Sequence, residues 1–246
     1  MVQAAFSVVL LCGTVTDAAL RGSSMEKRCS GMGIPPRESH RYDFYLGLAL
    51  ARAAEKSKMG CFDAILDLDD PPADAKIADS EGLTALAHLA SNGKIGPLRR
   101  LLPRSDVQCA LWPCHAPLAL ACKQGHAQIA LELLNANANV DAPNKEGRSP
   151  LQLASYSGHL AVVSTLLQRD ASLESVAPED RRTALHRASS KGHTDVVRAL
   201  LDAGADWSAV DSWNHTAWDL AVQNGHADTA AAVASSQRAA EMRNEV

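Results

Sequence analysis

The chain has 246 residues, 46% of them apolar, with 24 basic and 28 acidic side chains and a formal net charge of −4. That composition suits a soluble, folded chain, and the absence of a global basic footprint argues against nucleic acid as a partner. No apolar run approaches the ~18 residues that a membrane-spanning helix needs.

Residues 4–12 form an apolar run about as long as a signal-peptide core, with small residues at Thr16 and Ala18. No basic residue precedes it, since the first is Arg21. Two readings are open: a cytoplasmic chain with an apolar N-terminus, or a secreted one if residues 1–18 are cleaved. Residues 22–41 are rich in Gly, Ser, Pro and charge and read as a linker, so 1–41 is set apart from the rest. The six cysteines cluster toward the N-terminal half without a fixed station, which is not how a disulfide framework looks, and reduced thiols are expected.

From Asp43 a helical pattern runs through Leu46, Leu50 and Ala54 to Met59, with Gly60 as the expected turn. The repeating unit of the chain is clearest from Arg182 to Asp211. Thr183 can cap a short helix carrying Leu185 and Ala188, and Gly192 supplies the left-handed residue that ends it. Val196, Val197, Leu200 and Leu201 build a second apolar face that stops at Gly204. Neither helix is long enough to be stable alone, so the unit needs neighbours.

The neighbours are present. Glycines that can end a first helix stand at Gly60, Gly93, Gly125, Gly158, Gly192 and Gly225, spaced by 33, 32, 33, 34 and 33 residues. The caps Thr84, Ala116, Ser149, Thr183 and Thr216 keep the same beat, and Gly-His recurs at 125, 158, 192 and 225. Thr183-Ala184-Leu185-His186 and Ser149-Pro150-Leu151-Gln152 come near Thr-Pro-Leu-His. With this period, the chain strongly resembles the ankyrin repeat family.

The resemblance implies an all-α ankyrin-repeat solenoid of about six helix-turn-helix repeats with short hairpin-like finger loops. The domain would span 42–240, with repeats at about 43–76, 77–108, 109–141, 142–175, 176–208 and 209–240, and 241–246 left as a tail. The second turn has glycine only at Gly204, so Asn137, Asp170 and Ser105 are expected to take its place.

This register constrains the candidate chemical sites. Cys109, Cys114, His115, Cys122 and His126 could surround a zinc ion, but Cys122 falls at a small buried position and His126 is the Gly-His histidine. Nucleophile-elbow, phosphate-loop, zincin and dinucleotide motifs are all missing, so no enzyme, metal or cofactor is expected.

The family's usual binding surface, its fingertip turns and the exposed ends of its first helices, is then the expected site. Carried over residue by residue, it comprises Trp112, Lys145, Glu146, Arg148, Arg181, Arg182, Trp213 and Asn214 in the turns, and Tyr156 and Lys191 on first helices. Ser91, Asn92, Lys123, Gln124, Ser157, Ser190, Gln223 and Asn224 hold matching positions before the glycines. Trp112 and Trp213 either meet a partner or pack on the next finger, whereas Trp218, at the core leucine position, and Trp207 read as structural. The expected function is a non-catalytic, monomeric adaptor or scaffold that binds a protein partner. The alternative is an inhibitor that occludes a kinase or transcription factor.

Overall fold

In the computed structural model, residues 42–67, 75–107 and 116–244 are described, with side chains from 48 to 238. They fold into twelve α-helices with no strand among them, in six helix-turn-helix pairs. The pairs are α1 (Tyr42–Glu55) with α2 (Met59–Leu66), α3 (Ala85–Ser91) with α4 (Ile95–Leu101), and α5 (Pro117–Gln124) with α6 (Ala127–Asn135). They continue with α7 (Pro150–Ser157) and α8 (Leu160–Leu167), α9 (Ala184–Lys191) and α10 (Thr194–Asp202), then α11 (Ala217–Gln223) and α12 (Ala227–Asn244).

The chain divides into two compact units, one holding α1–α4 and the other α5–α12. In the first, α1 packs on α2 and α3 around Leu50, Phe62, Ile65, Leu86 and Leu89, all fully buried. Asn92 ties its pairs together by donating Nδ2 to the carbonyls of Ala54 and Glu55 at 3.2 and 3.4 Å. In the second, α5, α7, α9 and α11 form one layer and α6, α8, α10 and α12 the other. Leu118, Leu133, Leu151, Leu166, Leu185 and Leu200, drawn from both layers, are all fully buried. Apart from the longer α12, each of these helices alone is too short to persist in water, so shared burial holds it.

Local chemistry sets the helix ends. Thr84, Ser149, Thr183 and Thr216 accept a hydrogen bond from the third helical amide, while Ala116 makes no side-chain cap and leaves that amide without one. At the turn inside each pair, one residue takes a left-handed conformation, and the next donates its N–H to the carbonyl five residues back. That bond joins Lys94 to Leu89, His126 to Ala121, His159 to Ala154, His193 to Ala188 and His226 to Ala221, at 2.8–3.1 Å. In the first pair it joins Lys58 to Ala53, and the left-handed residue is Ser57, with φ 52°.

Gly60 is therefore not the first turn, as the spacing predicts, but lies inside α2. Asn137 and Asp170 do take the left-handed place of the second glycine, at φ 63° and 58°. Ser105 does not. Pro103 draws the end of α4 into a 3-10 turn, and Ser105 is extended at φ −110°, its Oγ donating to the Leu101 carbonyl.

The Gly-His beat has a steric cause. A Cβ on Gly125, Gly158 or Gly192 would lie 2.6–2.7 Å from the imidazole of His159, His193 or His226, the histidine one pair further on. Two of these rings also reach the preceding first helix, at the Lys123 carbonyl for His159 and the Tyr156 carbonyl for His193, at 3.2 and 3.1 Å. Gly225 has nothing within 4 Å of that position.

On the same face of α11, Trp218 is 43% and Val222 50% exposed, although their counterparts Leu185 and Ser189, or Leu151 and Ser155, are buried. This corrects the expectation that Trp218 is a core residue. The position is buried only where a further first helix covers it, and none comes after α11 among the described residues.

Candidate partner-binding surface

The fingers are built by one repeated device. An Asp or Asn five residues before the cap accepts two backbone amides through Oδ1: Asp79 from Glu81 and Leu83, Asn144 from Glu146 and Arg148, Asp211 from Trp213 and His215, at 2.8–3.0 Å. The same residue's N–H bonds the carbonyl four residues on, closing a hairpin turn. Two residues before the cap the backbone is left-handed, at Gly82, Gly147, Arg181 and Asn214. The fifth pair's finger differs. Its extra residue closes a wider turn, from the Arg181 N–H to the Ala177 carbonyl, and Pro178 sits over Gly147 of the preceding finger.

Trp112 lies outside the described residues. Lys145 and Glu146 are exposed at the fourth finger, and Arg148 pairs with Glu146 at 3.0 Å and more loosely with Glu179 at 3.8 Å. Arg181 and Asn214 are exposed on their left-handed stations, at φ 53° and 61°. Trp213 is 59% exposed. Its ring lies 5.3 Å from the Arg182 guanidinium, whose Nε donates to Asp211 at 3.1 Å. Tyr156 and Lys191 meet on neighbouring first helices, with the ammonium 4.7 Å from the ring centre. Of the further first-helix positions, Asn92 is spent on α1, and Ser190 and Asn224 bond carbonyls of their own helices. Trp207 is half-buried.

The structure thus gathers the expected residues into two cation–π pairs, each joining successive helix pairs, and two ionic links between fingers, Arg148 to Glu179 and Arg182 to Asp211. Sequence reasoning missed the carboxylates beneath them. Asp211 is fully buried and titrates below the ordinary aspartate range. Burial pushes its value up, but the amides of His215 and Trp213 and the Arg182 guanidinium more than offset this. Asp180 accepts Arg187 Nη2 at 2.9 Å in a nearly buried ion pair. His186 is also buried: its Nδ1 accepts from Thr183, its Nε2 donates to the His215 carbonyl at 3.1 Å, and burial lowers its pKa. Gln152, at the same station in α7, reaches the Arg182 carbonyl at 2.9 Å.

No group of three potential metal ligands converges among the described residues. Cys122 is buried with its thiol pushed well up by desolvation, and Cys109, Cys114 and His115 lie outside the described residues. Cys61 is disulfide-bonded, contrary to the expectation of reduced thiols throughout. No described helix is long and apolar enough to cross a membrane.

Helical pairs with capped first helices, Gly-His turns and hairpin fingers define an ankyrin-repeat protein. Two family profiles agree, one described as Ankyrin repeats (3 copies) over residues 98–177, the other as Ankyrin repeats (many copies) over 166–221.

Relatives extend the match. The chain is similar to cyclin-dependent kinase 4 inhibitor B of Rattus norvegicus, 33% identical over 47% of this chain and 88% of the relative. It is similar also to a transient receptor potential cation channel subfamily A member 1 homolog of Caenorhabditis elegans, 34% identical over 61% of this chain and 12% of the relative. The ankyrin repeat protein nuc-2 of Neurospora crassa is 30% identical over 77% of this chain and 18% of its own length. The chain therefore spans under a fifth of the latter two relatives. It belongs to the ankyrin repeat family, whose repeats mediate protein–protein interaction.

Proposed function

We propose that the chain is a non-catalytic adaptor or scaffold whose fingers, with the Tyr156–Lys191 edge of the first helices, engage a protein partner. The observation that carries this reading is Arg181. The equivalent stations hold glycine at 82 and 147 and asparagine at 214, residues that tolerate positive φ. An arginine there is strained by about 1–2 kcal/mol, and its guanidinium, exposed at the fingertip, makes no hydrogen bond, ion pair or ring contact within the described residues to offset that strain. Strain held at a tip supports a role for the side chain outside the fold.

The test is affinity capture from native cells with wild type, Arg181→Gly and Trp213→Ala, each verified as folded. A protein held by wild type and lost from both variants supports the reading. An unchanged set from all three removes the fingers from consideration.

A second reading, an inhibitor that occludes a kinase, is favoured by the similarity to cyclin-dependent kinase 4 inhibitor B over 88% of that protein. Inhibition of a purified cyclin-dependent kinase, reduced by the same variants, separates it from a passive scaffold.

A further inference from the structure

We propose that the tips of the fifth and sixth fingers form a receptor for an acidic peptide segment, with Arg182 as the anchor, Arg181 as the second cation and the Trp213 ring as the platform. This deepens the binding reading above and rests on it.

Arg182 is held from two sides. Asp211, fixed by the Trp213 and His215 amides, takes its Nε, and the Trp213 ring lies beneath its guanidinium. The two Nη groups find no hydrogen-bond partner among the described residues. An arginine oriented in this way keeps a planar fork of donors free, which is the geometry a carboxylate engages with two parallel hydrogen bonds. Its rotamer freedom is already spent, so capture of an anion orders little more.

Arg181 stands beside it, exposed and unengaged. Two of the neighbouring carboxylates are turned inward: Asp180 onto Arg187 and the Arg182 amide, Asp211 onto Arg182 and its own turn. Glu179 faces solvent, and its charge is directed to Arg148 at 3.8 Å. Apart from Glu179, the charged and aromatic groups that the two tips present to solvent are Arg181, Arg182 and the Trp213 ring. An extended segment carrying Asp or Glu matches it in charge, and the exposed Trp213 ring offers an apolar rest for the segment's intervening side chains.

The probe is a dye-labelled hexaglutamate peptide with blocked ends, its anisotropy read against the full chain, with hexaglutamine as comparison. Hexaglutamate should bind at least about ten-fold more tightly than hexaglutamine. Arg182→Gln should lose about ten-fold, and Arg182→Lys most of that despite keeping its charge, because an ammonium cannot present the fork. Arg181→Gln, which disturbs no internal contact, should lose several-fold and keeps the test valid if Arg182 variants unfold. Arg198→Gln, which removes an exposed charge on α10, should change nothing.

Equal binding of the two peptides overturns the proposal, as does an equal loss from Arg198→Gln and Arg181→Gln, which would mean diffuse attraction. If hexaglutamate fails while Trp213→Ala still abolishes capture of a cellular protein, the binding module stands and only its acidic preference falls.

Discussion

The imidazole of His193 occupies the space that a side chain on Gly158 would need: a Cβ built there lies 2.6 Å from the ring. The same ring reaches the Tyr156 carbonyl at 3.1 Å, so one residue both fills the notch and ties α10 to the preceding first helix. Glycine at 158 thus meets two requirements, a left-handed backbone at φ 77° and an empty Cβ position.

Gly158→Ala should destabilise by more than about 2 kcal/mol, because backbone strain and displacement of His193 add. Gly204→Ala carries only the first term, since nothing lies within 4 Å of its Cβ position, and should come to about 1 kcal/mol. Gly96→Ala, in open space within α4, should stabilise by about 0.5–1 kcal/mol. Urea unfolding of the three variants gives the order, and equal shifts would sink the account.

Arg181→Gly should raise stability by about 1 kcal/mol, because it relieves positive φ without removing an internal contact. Thermal unfolding checks the sign. A loss of stability would show that the arginine serves the fold after all.

The buried pair of Arg187 and Asp180 should respond asymmetrically. Asp180→Ala alone leaves a nearly buried guanidinium uncompensated and should cost about 3 kcal/mol. Arg187 shares its station with Leu153 and Leu220, both buried, so Asp180→Asn combined with Arg187→Leu should recover most of that loss. A double variant no better than Asp180→Ala would place the defect in the finger itself.

His186 sets an acid limit. Burial first of all lowers its folded pKa below the unfolded value of about 6.5. Between those values the unfolded chain binds more protons, so stability rises with pH and declines as pH falls through about 6.5. His186→Gln should flatten that slope, since Gln152 already does the same work in α7 by reaching the carbonyl before the next cap. Unfolding measured between about pH 5 and 7 decides it, and an unchanged slope in the variant would assign the titration elsewhere.

Most of this architecture is legible in the residues because its determinants are local. A hydroxyl three residues before the amide it caps can be read from Thr84, Ser149, Thr183 and Thr216 without knowing anything distant. The first turn escaped because Ser57, not a glycine, holds the left-handed place while Gly60 stands nearby as a decoy. The Asp180–Arg187 pair was hidden by the extra residue in its finger, which moves the aspartate off the station that Asp79, Asn144 and Asp211 share. Trp218 could not be read from its position alone, since that position is a core site only when something covers it. The stacking of Trp213 on Arg182 joins residues 31 apart in sequence, and no local pattern announces it.

The outer face of α11 and its turn resembles the inner ones in its glycine notch, open at Gly225, and adds an exposed apolar pair at Trp218 and Val222. The fold therefore encodes a pitch without encoding a length. A copy of 183–215 grafted behind this face should meet a prepared seat, the way a course of bricks meets the one below.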